Sequence, residues 1–180
     1  RKDPDGAPRA PLHWPLAFPE VLLRRDSHGF DAIVGNPPFQ GGQKITGASG
    51  TDYRDYLVEH IAGGRRGSAD LCAYFFLRAA ALTRTPGQIG LVATNTIAQG
   101  DSREVGLDDL TANGIEILRA VASEPWPGEA SLEVAYVWLR KGSWGGEHIL
   151  DGAGVPAISS ALTKPGNIAG KPYRLKANEK

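Results

Sequence analysis

Asparagine, two prolines and an aromatic ring stand in succession at Asn36, Pro37, Pro38 and Phe39. A residue before proline is pushed out of the helical region, so Asn36 and Pro37 are both held extended. Neither proline has an N–H, so the segment cannot close into a helical turn. The backbone carbonyls and the Asn36 carboxamide are left facing outward. That geometry suits an exocyclic aromatic amine, such as the amino group of adenine. Such an amine is a poor nucleophile because its lone pair is delocalised into the ring. Two acceptors, the Asn36 side-chain oxygen and the Pro37 carbonyl, can take its two N–H bonds. They favour the pyramidal form and stabilise charge developing on nitrogen. Phe39 can stack on a base that has left the helix. No general base is demanded, because the proton becomes acidic only after a methyl is attached. The alternative is a stiff loop after a strand, but from average composition Asn-Pro-Pro-aromatic arises at roughly one position in a hundred thousand.

The flanking sequence positions these residues. Phe30 to Val34, broken only by Asp31, reads as a short buried strand stopped by Gly35. Asn36 then stands at the carboxyl end of a central strand, where open α/β sheets bind ligands. Ser68 is the expected N-cap of a strong, nearly all-apolar helix over 69–84, stopped by Pro86-Gly87. Gln88 to Asn95 is the next buried strand, and strand, helix, strand implies a right-handed parallel crossover. Thr94, Asn95 and Gln99 then share the rim with Asn36. Asp101 and Glu104 read as a capping-box start for another helix, ending at Asn113-Gly114. Ile115 to Ala122 is a further strand, and 123–130 a rigid turn carrying Trp126. Leu132 to Leu139 reads as a strand buried on both sides. Upstream, 13–23 is an irregular or short-strand approach interrupted by Pro15 and Pro19. The glycine-rich stretch 41–50 reads as a mobile loop beside the site. A short amphipathic helix follows over 53–62, with Tyr53, Tyr56, Leu57 and Ile61 at helical spacing.

Asn36 to Phe39 resembles motif IV of the S-adenosylmethionine-dependent amino-methyltransferases, in their adenine-specific DNA branch. The resemblance is strongest to the large methyltransferase subunits or fused enzymes of restriction-modification and phage-defence systems, and it covers roughly 14–163. It implies an α/β fold, part of a class I methyltransferase (Rossmann-like) sheet. That sheet is expected to be mostly parallel with a final antiparallel strand and helices on both faces. Residues 1–13 are then a linker, 14–142 the C-terminal half of the catalytic domain, and 143–180 an exit toward a target-recognition domain. The resemblance implies S-adenosylmethionine as cofactor, double-stranded DNA as partner, and methyl transfer to the N6 of a flipped adenine. Catalysis falls to Asn36, Pro37, Pro38 and Phe39. Asn36, Pro37 and Phe76 face the cofactor, with Phe76 matching the aromatic that pockets its adenine or else a plain core residue. Phe39, Gln40, Lys44 and Trp126 face the DNA. Gln40, Gln43 and Lys44 are placed to touch phosphate, and Trp126 to pack against the extruded base as motif VIII does.

Composition narrows the classes. Apolar residues make up 41% of the 180 and charged residues 22%, as in soluble globular proteins. No run approaches a membrane span and no signal peptide is visible. Cys72, the single cysteine, lies in an apolar helical pattern, which fits a buried structural residue and a reducing cytoplasm. His13, His28, His60 and His148 are scattered without ligand spacing, so no metal is expected. The lack of a Gly-x-x-x-x-Gly-Lys-Ser/Thr run argues against a phosphate-loop hydrolase. The net charge of zero argues against strong nucleic-acid binding by these residues alone.

A whole enzyme of this kind needs a glycine-rich cofactor turn and an acidic residue on the ribose. Neither lies upstream of Trp14, and with Arg1 first and no Met, the chain is expected to be an internal piece. In isolation it is expected to bind cofactor poorly, to show little activity, and to expose an aggregation-prone sheet edge. Two other readings stand beside this one. Amino-methyltransferases acting on guanine of RNA or on glutamine of a protein also use Asn-Pro-Pro-aromatic. A non-catalytic remnant serving as an interaction module is the third.

Overall fold

The computed structural model describes residues 12–23, 28–65 and 67–166. Most of the proposed linker and the last residues of the proposed exit segment lie outside them. Six strands form one sheet: β1 (Phe30–Gly35), β2 (Thr83–Thr94), β3 (Ile115–Pro125), β4 (Glu133–Lys141), β5 (His148–Leu150) and β6 (Ala153–Val155). Their spatial order is β1-β2-β4-β3-β5-β6. β1 pairs parallel with β2, and β3 with β5, while β4 runs antiparallel to β2 and β3, and β6 to β5. The sheet is therefore mixed rather than mostly parallel. The antiparallel β4 lies between β2 and β3, as a hairpin partner that inserts itself rather than adding at the edge. Residues 143–155 stay with the sheet by adding β5 and β6 beyond β3.

Strand periodicity decides the two faces. Ile33, Ile89, Leu139 and Ile117 lie in register across β1, β2, β4 and β3 on the core face. Ala135, Val137 and Leu139 are fully buried there, in one core cluster with the buried residues of α5 (Leu71–Leu82), the longest helix among the described residues. The opposite row, Val34, Gly90, Trp138 and Arg119, faces outward. Val34 is 84% exposed, and the Arg119 guanidinium lies 5.2 Å from the Trp138 ring centre. One expectation fails here: β4 exposes Trp138 on this outward row while Ala135, Val137 and Leu139 on the other are buried, so it is not buried along both sides. No described helix is long and apolar enough to cross a membrane.

Local details also depart from sequence expectation. Residues 14–22 form two helical turns, α1 (Trp14–Ala17) and α2 (Pro19–Leu22), not a strand. Trp14, Phe18 and Phe30 hold them to the sheet as a three-ring cluster with centroids 5.4–5.8 Å apart. The glycine-rich stretch is helical, as α3 (Gly42–Ser49), followed by α4 (Thr51–Tyr56) and a π-turn at Leu57–Ile61. Ile45, fully buried, supplies the packing that local propensity does not. Asp70, not Ser68, caps α5, its carboxylate accepting the Cys72 N–H at 3.0 Å. The Ser68 N–H instead donates to Asp101, 2.6 Å away. Asp101 therefore does not cap its own helix α6 (Gly100–Val105), which has no side-chain cap. α7 (Leu107–Ala112) follows and ends at Asn113-Gly114, where Gly114 takes φ +78° as expected of a left-handed stop. β2 starts at Thr83, ahead of Pro86, because Thr83 already pairs with Phe30. Pro86 falls where that register skips, which is where a strand tolerates a missing N–H.

Candidate active site

β1 delivers Asn36 to its carboxyl end, beside the parallel β2. Residues 36–41 have no regular structure. The two prolines divide the work: Pro37 is buried and anchors the turn, while Asn36 and Pro38 are exposed. Phe39 packs on the core and meets Trp126 edge-to-face, with centroids 6.2 Å apart and planes at 90°. Asn36 and Phe39 thus share one rim with Trp126, more than eighty positions further along the sequence.

Two clefts flank this turn. One, of about 530 Å³, is lined by Trp14, Phe30, Asn36, Pro37, Pro38 and Phe75 and is largely apolar. The other, of about 540 Å³, is lined by Asn95, Trp126, Glu129 and Glu133 and is polar. At its wall the Asn95 amide donates to Ser123 Oγ at 3.1 Å, and Ser123 donates to Glu133 at 2.9 Å. Asn36, Pro37 and Pro38 line the apolar cleft, whereas Phe39 lines neither and meets the polar one only through its contact with Trp126.

The remaining site residues divide. Phe76 is fully buried in the core and does not line the apolar cleft. Its neighbour Phe75 does, at 40% exposure. The signal was in the helix: Phe75 shares its face with the exposed Arg78, whereas Phe76 aligns with buried Cys72 and Ala80. Gln40 is half-buried, and its side-chain amide donates to the Lys44 carbonyl at 3.5 Å. Lys44 is exposed on α3. Trp14 and Phe30 line the cleft without having been singled out in the sequence. Cys72 is fully buried, and burial first, then the Asp70 charge, push its thiol far up, so it supplies no nucleophile.

Residues 3–116 match the family model of the Eco57I restriction-modification methylases. The chain belongs to that family. The match takes in β1, the Asn36–Phe39 turn, α5 and β2, which is the framework of the apolar cleft; Trp126 lies beyond it. The methylase chain also matches a solved structure of the Type IIL restriction-modification enzyme MmeI in complex with DNA. That likeness has a TM-score of 0.63 at 21% identity, over 76% of this chain and 20% of that one. It establishes a shared fold, and the methylase segment spans a fifth of the neighbour's length. No curated protein matches the chain.

Proposed function

We propose that this segment carries the catalytic turn of a DNA adenine-N6 methyltransferase that uses S-adenosylmethionine in restriction-modification or phage defence in the cytoplasm. The observation that carries the reading is Asn36-Pro37-Pro38-Phe39 at the end of β1, lining an apolar cleft and setting Phe39 against Trp126. The apolar cleft fits the aromatic end of the cofactor: Phe75, Trp14 and Phe30 present rings, and its volume accommodates a nucleoside. Bound there, the cofactor supplies an electrophilic methyl group. The Asn36 carboxamide oxygen and the Pro37 carbonyl accept the two N–H bonds of the target amine and hold its lone pair toward that methyl. The cofactor's sulfur would be the leaving group as its methyl carbon bonds the nitrogen, and the surplus proton on nitrogen would pass to water. Phe39 and Trp126 hold the extruded base at right-angled ring faces. Gln40 and Lys44 lie where the DNA backbone passes.

The test is to incubate the full-length methylase with labelled S-adenosylmethionine and unmethylated DNA and to identify the methylated nucleoside by mass spectrometry. N6-methyldeoxyadenosine is expected. N4-methylcytosine as the main product overturns the adenine assignment, and label appearing only in RNA or protein overturns DNA as the substrate.

A further inference from the structure

The catalytic turn needs something to hold it, because two prolines remove its own hydrogen-bond donors. The grip comes from the N-terminus of α5. The Gln40 N–H, directly after Phe39, donates to the Asp70 carboxylate at 3.2 Å. The Gln40 carbonyl accepts from the Leu71 N–H at 2.8 Å. Both backbone groups of Gln40 are thus fixed to two consecutive residues. The Asp70 oxygen that takes the Gln40 N–H also takes the Cys72 N–H at 3.0 Å, so one atom caps α5 and ties down the turn. Asp70 is only 7% exposed, and its own N–H donates to the buried Ser102 hydroxyl at 2.9 Å. A second feature acts in the same place. Gly42 lies so close to the Ser68 and Ala69 carbonyls that any Cβ there would collide with backbone. The turn is pressed onto 68–69 and bonded to 70–71. The same helix presents Phe75 to the apolar cleft.

We propose that Asp70 is a positioning residue, which sets the Pro37 carbonyl and the Phe39 ring through Gln40 and keeps them in register with Phe75. This rests on the reading of Asn36 to Phe39 as the catalytic turn. An uncharged acceptor satisfies the geometry, so an amide at position 70 serves nearly as well as the carboxylate, whereas a methyl group cannot serve.

The experiment compares Asp70→Ala, Asp70→Asn, Ser102→Ala and Asn36→Ala in the full-length methylase. Single-turnover methyl transfer to DNA is measured, together with cofactor affinity and the fluorescence of 2-aminopurine at the target base. Asp70→Ala is expected to lower the transfer rate by about ten- to a hundredfold, the scale of a misplacement near 1 Å. Cofactor affinity should hold, and 2-aminopurine should brighten as it loses the Phe39 ring. Asp70→Asn should recover most of the rate. If Asp70→Ala does not fold, Ser102→Ala carries the test, with a smaller loss of rate and the same fluorescence change. A wild-type rate in Asp70→Ala, or in Ser102→Ala where that variant stands in, overturns the proposal while a dead Asn36→Ala leaves the catalytic reading intact. Equal loss in Asp70→Asn and Asp70→Ala, alongside weakened cofactor binding, also overturns it, since that pattern belongs to general damage. Full activity in Asn36→Ala defeats the catalytic reading itself.

Discussion

Asn36→Ala is expected to lower methyl transfer by about a hundred- to a thousandfold, the cost of deleting one preorganised polar group facing developing charge. Cofactor affinity should stay within a few-fold of wild type. The split follows from placement. The Asn36 side chain is exposed on the rim and makes no contribution to the core, so its loss leaves the fold untouched. The apolar cleft retains its rings, so the cofactor keeps most of its contacts. On the proposed mechanism what goes is one of two acceptors for the amine, and the Pro37 carbonyl alone cannot take both protons. Single-turnover kinetics with an independent cofactor titration separates the two effects. Methylation within a few-fold of wild type would sink the assignment of Asn36. Parallel loss of rate and cofactor binding would move Asn36 from the reacting amine to the cofactor.

The second large effect is one of stability. Phe76→Ala is expected to destabilise the fold by about 3–5 kcal/mol, as for other fully enclosed aromatic rings. Against a typical total of about 5–15 kcal/mol, that leaves a marginal protein. Phe76 is fully buried between α5 and the sheet, so the cavity left behind has no route to solvent. Phe75→Ala, one residue away, should behave in the opposite way. Its ring is already 40% exposed, so little burial is lost. Cofactor affinity should fall about ten- to a hundredfold, the equivalent of one ring stacked on a base. Denaturant melts and cofactor titrations on both variants check the pair. Reversed results would return Phe76 to the site and Phe75 to the scaffold.

Much of the scaffold could be read from the chain. β1, β2, β3 and β4 announced themselves through apolar runs bounded by Gly35, Asn113-Gly114 and Gly142, because strand signals are local. Asn36 to Phe39 was legible for the same reason, since proline geometry travels with the residue. Three features were not, each decided by distant contacts. α3 forms in a stretch whose glycines oppose helix because Ile45 finds a core and Gly42 fits against 68–69. Phe75 and Phe76 are chemically identical, and only the rotation of α5 against β2 tells them apart. Asp70 caps α5 in place of Ser68, whose N–H is drawn to Asp101 on a separate helix. The open sheet face was equally hidden: Val34 and Trp138 are as apolar as residues that are buried.

The strand order has a consequence for motion. β3 and β4 are joined across residues 126–132, so their ladder closes a short loop. β1 reaches β2 only after the chain over 36–82 has folded back, and among the described residues it has no strand on its other side. Closing a longer loop costs more chain entropy, and a strand held from one side gives up fewer bonds on leaving. Within these 180 residues β1 is therefore the least protected of the four long strands. In amide hydrogen exchange its N–H groups should exchange through openings that leave β3 and β4 closed. Uniform protection across all four would show that the sheet opens only as a whole. If β1 does open alone in this chain, residues 36–41 are the hinge of that opening.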